Sequence, residues 1–371
     1  MAELDSQTLG SRIREARERV GMKQGELGSE AGLDRTVVNK IEAGVRKVTA
    51  VELSEISRAL GVRMSSFFAE PIPALVSHRY NQDPEGSESQ IDRHLETLAT
   101  DVEFVHSLVP DELRLPDLEP EPRPRSNTDA DHLAARIRSR VGLSETEPVL
   151  DLIDLAGQLG LLIFSVDLGV DTADAGTILL RHGGVSLVNS HNKVGRRRLA
   201  AAHELGHYLV ADEYTIDWKV TDSSNDIEGR LDRFARALLL PSTAVRTHWR
   251  EKIASHSLRE AAVLLGSRFR VDMATLARRL RELGLIEPSE AATVRGTTTT
   301  QADIVEFGLY VPRDLEGTTL PVPYQKAILR AFRDERLSRE RTLDLLQDTF
   351  QDSDLPALRE RREDEIWKFV S

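Results

Sequence analysis

The chain has 371 residues, 40% hydrophobic and 30% charged with few aromatics, which calls for two or three separately cored, mostly helical units and excludes a disordered or fibrous protein. A formal net charge of -12 excludes bulk attraction to nucleic acid, yet a whole-chain sum hides any locally balanced face, so charge is read unit by unit. With no cysteine there is no disulfide framework, no thiol nucleophile and no Cys-type zinc finger; a metal would have to rest on His and carboxylate ligands.

The opening MAELDSQTLG lacks the basic-then-apolar order of a signal peptide, and no run of eighteen apolar residues occurs. The expectation is a cytoplasmic protein with no membrane partner. Residues 9–68 read as short amphipathic helices closed mostly by Gly21, Gly32, Gly44 and Gly61, with acids and bases about equal in number. Within them KQGELGSEAGLDRTVVNKIEAG has the makings of a helix-turn-helix: Leu27, Val37, Val38 and Ile41 join two helices across a turn at Gly32. Gln24 and the closing VNKIEAG resemble the XRE/Cro/C1 repressor family. That resemblance implies a recognition helix presenting Arg35, Thr36, Asn39 and Lys40 to the major groove, with Gln24 and Lys23 on phosphate. Asp34 and Glu42 weaken the local field, so binding is expected to need a homodimer on a palindromic operator.

The spacing then predicts a helix over 87–109, followed by PDELRLPDLEPEPRPRSNTD, whose prolines and acids bar a helix or central strand; 110–128 reads as a linker. From 129 come helices at DADHLAARIRSRVG and 148–160, then the β-type runs LLIFSVDL, GTILLR and GVSLVNS, the last two parted by His182 and Gly183 as in a hairpin. Further helices are expected from Lys193, over 225–240 and within 257–284. Residues 288–302 read as a loose connection, EFGLYV as a short strand, and YQKAILRAFRDE and SRERTLDLLQD as tail helices. The fold class is therefore mainly α with a small β-sheet (α+β), and the expected domains are 1–70, 71–128 (helix and linker), 129–287 and 288–371.

In AAHELGHYLV, His203 and His207 stand four apart, so a helix puts both imidazoles on one face and Glu204 beside them. A zinc ion held by three protein ligands with one open position lowers the pKa of its water to about 7, and a neighbouring carboxylate takes the proton as the carbonyl is attacked. Small apolar residues before the pair and Tyr208, Leu209 and Val210 after it mark a packed, rigid helix. The third ligand is open among Asp212, Glu213, Asp217 and Glu228. A metzincin arrangement is excluded by Val210 and Glu213. Glu228 lies on the next helix, IEGRLDRFARALLLP, whose apolar residues Ile227, Leu231, Phe234, Ala235 and Leu238 would pack it antiparallel against the first. Asp232, one turn on, suits the free nitrogen of a ligand histidine. Arg196, Arg197 and Arg198 read as a solvated helix start. His248 reads first as packing beside Trp249 and second as a stabiliser of a tetrahedral intermediate.

VNSHNKVGRRRLAAAHELGHYLV followed by EGRLDRFARALLLP resembles the ImmA/IrrE family of zinc metallopeptidases, over roughly 130–286. The resemblance implies a zincin-like domain, Zn2+ as cofactor, His203, His207 and Glu228 as ligands and Glu204 as base. Leu231 departs from the family's smaller residue there, which touches packing and leaves ligation alone. The later LLGSRFRVDMATLARRLRELGLI mimics a helix-turn-helix but reads as core beneath the site. The expected function is a DNA-binding transcriptional regulator with a zinc-dependent peptidase domain, cleaving a cognate repressor or antitoxin. A rival reading keeps the DNA reader and has the same fold sense a ligand or partner without cutting.

Overall fold

Four short helices build the first of two units, Met1–Pro71 and Ile72–Ser371, into which the chain divides. The computed structural model describes residues 5–62, 64–68, 76–79, 85–170, 172–211 and 224–358. Helices α1 (Ser6–Arg19), α2 (Gln24–Ala31), α3 (Arg35–Glu42) and α4 (Ala50–Leu60) enclose Ile13, Leu27, Val38, Ile41, Leu53, Ile56 and Leu60, one residue from each apolar turn. Between α2 and α3 the chain turns through Gly32 at φ 67. The turn is tight enough that a Cβ on Gly28 would stand 2.6 Å from the Leu33 carbonyl oxygen.

The second unit is organised around a four-stranded sheet. Its strands are β1 (Val76–Arg79), β2 (Leu161–Val166), β3 (Ala175–Leu179) and β4 (Gly184–Asn189), in the order β1-β3-β4-β2. β2 and β4 run parallel, while β3 is antiparallel to both β4 and β1. β3 and β4 form the hairpin expected from His182 and Gly183, Gly183 taking φ 69. Every residue of β4 is buried, which requires cover on both faces. The pleat sorts the side chains accordingly: Leu161, Ile163 and Ala175 enter one core, Leu162, Phe164, Ile178, Val185 and Leu187 the other.

On the first face lie α6 (Asn127–Arg140), α7 (Leu152–Gln158), α8 (Val194–Leu209), α9 (Ser224–Leu239), α10 (Ser242–Ile253), α11 (Leu258–Phe269), α12 (Met273–Glu282) and α13 (Pro288–Gly296). The opposite face is covered by α5 (Glu85–Leu108) with α15 (Val322–Arg333) and α16 (Arg339–Leu345), which follow the short α14 (Gln301–Glu306). Phe164 and Tyr324 meet there edge to face at 5.2 Å. The tail is thus one wall of the second core. Among the described residues no helix is long and apolar enough to cross a membrane.

Several expectations are corrected. Residues 288–302 are not a loose connection: Glu287 and Glu290 form a capping box, Pro288 sits in the first turn, and burial of Ala291 and Val294 holds α13. EFGLYV is not a strand, because the Thr300–Asp303 capping box starts α14 and Gly308 at φ 60 follows its end. Residues 110–126 are irregular as expected, yet they are strapped down: Leu113 is fully buried, the Glu121 N–H donates to the Leu209 carbonyl at 2.8 Å, and Arg230 Nη1 donates to the Pro124 carbonyl at 3.1 Å. Prolines rule out helix there without ruling out packing. Two of the three arginines at the start of α8 are not solvated either, and the half-exposed Arg196 is paired. Arg198 is fully buried and paired with Asp314, Arg197 Nε donates to the Asp314 carbonyl at 3.0 Å, and Arg196 Nε bonds Asp174 at 2.9 Å. Burial depresses the basicity of Arg198 and Asp314 opposes it.

Candidate metal centre and nucleic-acid interface

Helix α8 is buried almost all round, so its polar residues have to be satisfied from neighbouring elements. It crosses α9 closely at Gly206, where a Cβ would stand 2.9 Å from Phe234 Cδ1 and 3.2 Å from Leu231 Cδ2. That approach brings Glu228 and Asp232 of α9 over the two histidines.

The Nε2 atoms of His203 and His207 lie 2.9 Å apart. Carboxylate oxygens of Glu228 stand 3.1 Å from His203 Nε2 and 3.4 Å from His207 Nε2. Ligand atoms of all three residues fall within 4.8 Å of one another. Two atoms each bound at 2.0–2.1 Å to a tetrahedral zinc are separated by about 3.3–3.4 Å, so this donor set fits a divalent cation with little rearrangement. Two imidazole nitrogens and a carboxylate oxygen turned toward one point also need a cation or proton between them. His203 Nδ1 lies 3.0 Å from Asp232 Oδ1. Burial pushes the Glu228 carboxyl up, but the imidazoles of His203 and His207 outweigh it and hold the group well below the usual carboxylate range.

Glu204 is fully buried one residue after His203. Its Oε2 accepts a hydrogen bond from Thr177 Oγ1 of β3 at 2.8 Å, and its Oε1 has no protein partner among the described residues. One carboxylate oxygen is therefore fixed by the sheet, and the other is left for a small donor. The sequence carried no signal for Thr177, since only the fold brings β3 beneath α8. Asp212, Glu213 and Asp217 lie outside the described residues. His248 is not drawn in: its Nδ1 faces Glu251 Oε2 at 3.3 Å and its ring stands 6.2 Å from Phe269.

In the first unit, Arg35, Thr36, Asn39 and Lys40 are all exposed on α3, while Val38 and Ile41 turn into the core. Gln24 Nε2 donates to Glu42 Oε2 at 2.8 Å and lies 3.5 Å from Asn39 Oδ1, which ties its side chain to α3. Glu42 does not weaken the outer field as expected. Its side chain is buried, and Arg17 grips it at both oxygens, Nε to Oε1 at 2.6 Å and Nη2 to Oε2 at 3.0 Å. The carboxylate in turn makes the Arg17 guanidinium more basic.

Comparison with known proteins locates the same two regions. A helix-turn-helix family model matches residues 13–67, and the IrrE N-terminal-like domain model matches residues 156–281. An HTH-type transcriptional regulator of Sinorhizobium fredii is 42% identical over 64 residues, 17% of this chain and 45% of the relative, so the chain spans less than half of that protein. Control protein C.MunI from a Mycoplasma species is 34% identical over 62 residues, 16% of this chain and 84% of its own length. Among solved structures, the restriction-modification controller protein C.AhdI from Aeromonas hydrophila is 33% identical, covering 17% of this chain and 96% of that one at a TM-score of 0.17.

Proposed function

The chain belongs to the helix-turn-helix family through residues 13–67 and carries an IrrE N-terminal-like domain over 156–281, and from that premise we propose that it is a cytoplasmic DNA-binding transcriptional regulator whose second unit is a zinc-dependent peptidase of narrow specificity. The observation that carries the peptidase reading is the convergence of His203, His207 and Glu228 within 4.8 Å, with a buried carboxylate one residue away. His203, His207 and Glu228 would hold the metal. Zinc bound by three protein ligands lowers the pKa of a bound water to about 7 and polarises a carbonyl.

The remaining work falls to this chain's own groups. Asp232 orients His203 through Nδ1, leaving Nε2 as the ligating lone pair. Glu204, held at Oε2 by Thr177, takes a proton from the attacking water on Oε1 and returns it to the leaving amine as the peptide C–N bond breaks. Burial keeps that carboxylate away from bulk water. The substrate class we infer is a cognate repressor or antitoxin, whose cleavage would relieve repression.

Metal content tests the centre. Loss of an outer partner costs about 10–100-fold in metal affinity, so Asp232→Ala is expected within that range and His203→Ala beyond it. Competition with a chromophoric chelator measures both, and equal zinc retention by wild type and His203→Ala would remove the site.

For the first unit, we propose that Arg35, Thr36, Asn39 and Lys40 read an operator, with Gln24 bracing α3 from beneath. A palindromic site and a homodimer follow from the small area one such helix offers. A duplex enriched from a random library should be bound by wild type, and Arg35→Ala with Asn39→Ala should weaken it by about 2–6 kcal/mol if each makes a bidentate base contact. Undiminished shifts in a gel would place the interface elsewhere.

A further inference from the structure

Strand β1 holds a position that its own sequence hardly justifies. It has four residues, VSHR, and lacks the apolar alternation that fixes a register. It nevertheless pairs antiparallel with β3 from Val76 opposite Ile178 to Arg79 opposite Ala175, and it packs beside α8. Ser77 falls opposite Thr177, the residue whose hydroxyl holds Glu204.

β3 is the strand nearest the candidate catalytic carboxylate, and without β1 its outer row of N–H and C=O groups would be the open edge beside Glu204. The opposite edge of the sheet is already met by Thr319, which exchanges backbone hydrogen bonds of 3.1 Å with Ser165 of β2. Extended peptides bind by adding to open edges, with main-chain hydrogen bonds supplying affinity.

We propose that β1 is a resident occupant of the peptide-binding edge: a piece of the segment that follows the DNA-reading unit, seated where an extended stretch of a protein substrate pairs with β3. Substrate and β1 then compete for one edge. A tethered strand competes at an effective concentration on the order of millimolar, so ordinary cellular peptides are excluded. A substrate gains the edge by pairing better than VSHR does, or when the connecting segment is drawn away. The regulatory consequence rests on the peptidase reading; the occupancy needs neither zinc nor turnover.

The chain has no cysteine, so a Val76→Cys, Ile178→Cys pair is free of competing thiols. Register partners in an antiparallel pair lie within disulfide reach, and Ile178 belongs to the core on the face away from α8. The pair is built in zinc-free Glu204→Gln protein, and a fluorescein-labelled peptide of residues 74–81, ALVSHRYN, is titrated by anisotropy. The oxidised form is expected to exclude the peptide at every concentration, and the reduced form to admit it only as its concentration nears the effective concentration of the tethered strand, on the order of millimolar. Replacing residues 74–81 by a Gly-Ser stretch of equal length should tighten binding by about 100-fold over the reduced form. Failure of the disulfide to form, or equal binding by oxidised and reduced protein, overturns the proposal. The oxidised and reduced forms are one protein, so the comparison stands even if the Gly-Ser variant misfolds. Absence of zinc binding or turnover in the wild-type chain, with peptide exclusion intact in this protein, would count against the peptidase reading alone.

Discussion

Glu204→Gln is expected to bind zinc as tightly as wild type, to melt at nearly the same temperature, and to lose about 10²–10⁴-fold in cleavage rate, or roughly 3–5 kcal/mol of transition-state stabilisation. The substitution keeps the shape of a fully buried side chain and keeps an acceptor for Thr177 Oγ1. What it removes is the ability to accept a proton on the oxygen that has no protein partner. The metal-ligand atoms of His203, His207 and Glu228 are untouched, so metal and activity should separate cleanly. A proteome-derived peptide library incubated with zinc-loaded protein and read by mass spectrometry supplies the measurement. Cuts that persist unchanged in the variant would strip Glu204 of the role of base. Retained zinc with no cuts from either protein would favour the sensing reading, in which the same fold binds without hydrolysis.

The parts of this molecule legible in sequence are those whose signals are local and periodic. An i,i+4 histidine pair on a helix places two ligand candidates by geometry, the third staying open among four acids until the ImmA/IrrE resemblance implies Glu228, and caps and glycines mark the small helices of the first unit. The short apolar runs of β2 to β4 are readable as local signals too. What stayed hidden depends on residues far apart in the chain. Arg197 and Arg198 read as any solvated helix start does, because Asp314 lies more than a hundred residues away. Thr177 is one inward residue of an apolar strand until α8 is laid over it. β1 carries no strand signal, and only the edge of β3 gives it a structure. The stretch 288–302 misled through its run of threonines, although Pro288 and the Glu287–Glu290 box were helix-start signals in plain view.

Glu42→Ala is expected to destabilise the first unit by about 3 kcal/mol and with it to weaken sequence-specific DNA binding, while zinc binding by the second unit persists. The Glu42 side chain is buried and accepts from Arg17 at 2.6 and 3.0 Å and from Gln24 at 2.8 Å. Removing one member of a buried pair leaves its partner uncompensated and costs about 3–5 kcal/mol, nearer the lower figure here because Arg17 keeps the Met22 carbonyl at 2.9 Å and Glu18 at 3.2 Å. A unit of roughly sixty residues has only about 3–9 kcal/mol of stability in total, so the loss takes from about a third to all of it. Gln24 would also lose the acceptor that ties α2 to the end of α3, and the helix carrying Arg35 and Asn39 would lose its brace. Glu42→Gln, which keeps one acceptor and drops the charge, should fall between the two. Calorimetry of the full chain should show the first unit's transition fall sharply in temperature in Glu42→Ala with the second unit's transition unmoved. An unchanged melt and an unchanged gel shift would mean that the Arg17–Glu42 pair is dispensable and that apolar packing around Leu27, Val38 and Ile41 alone holds the reader together.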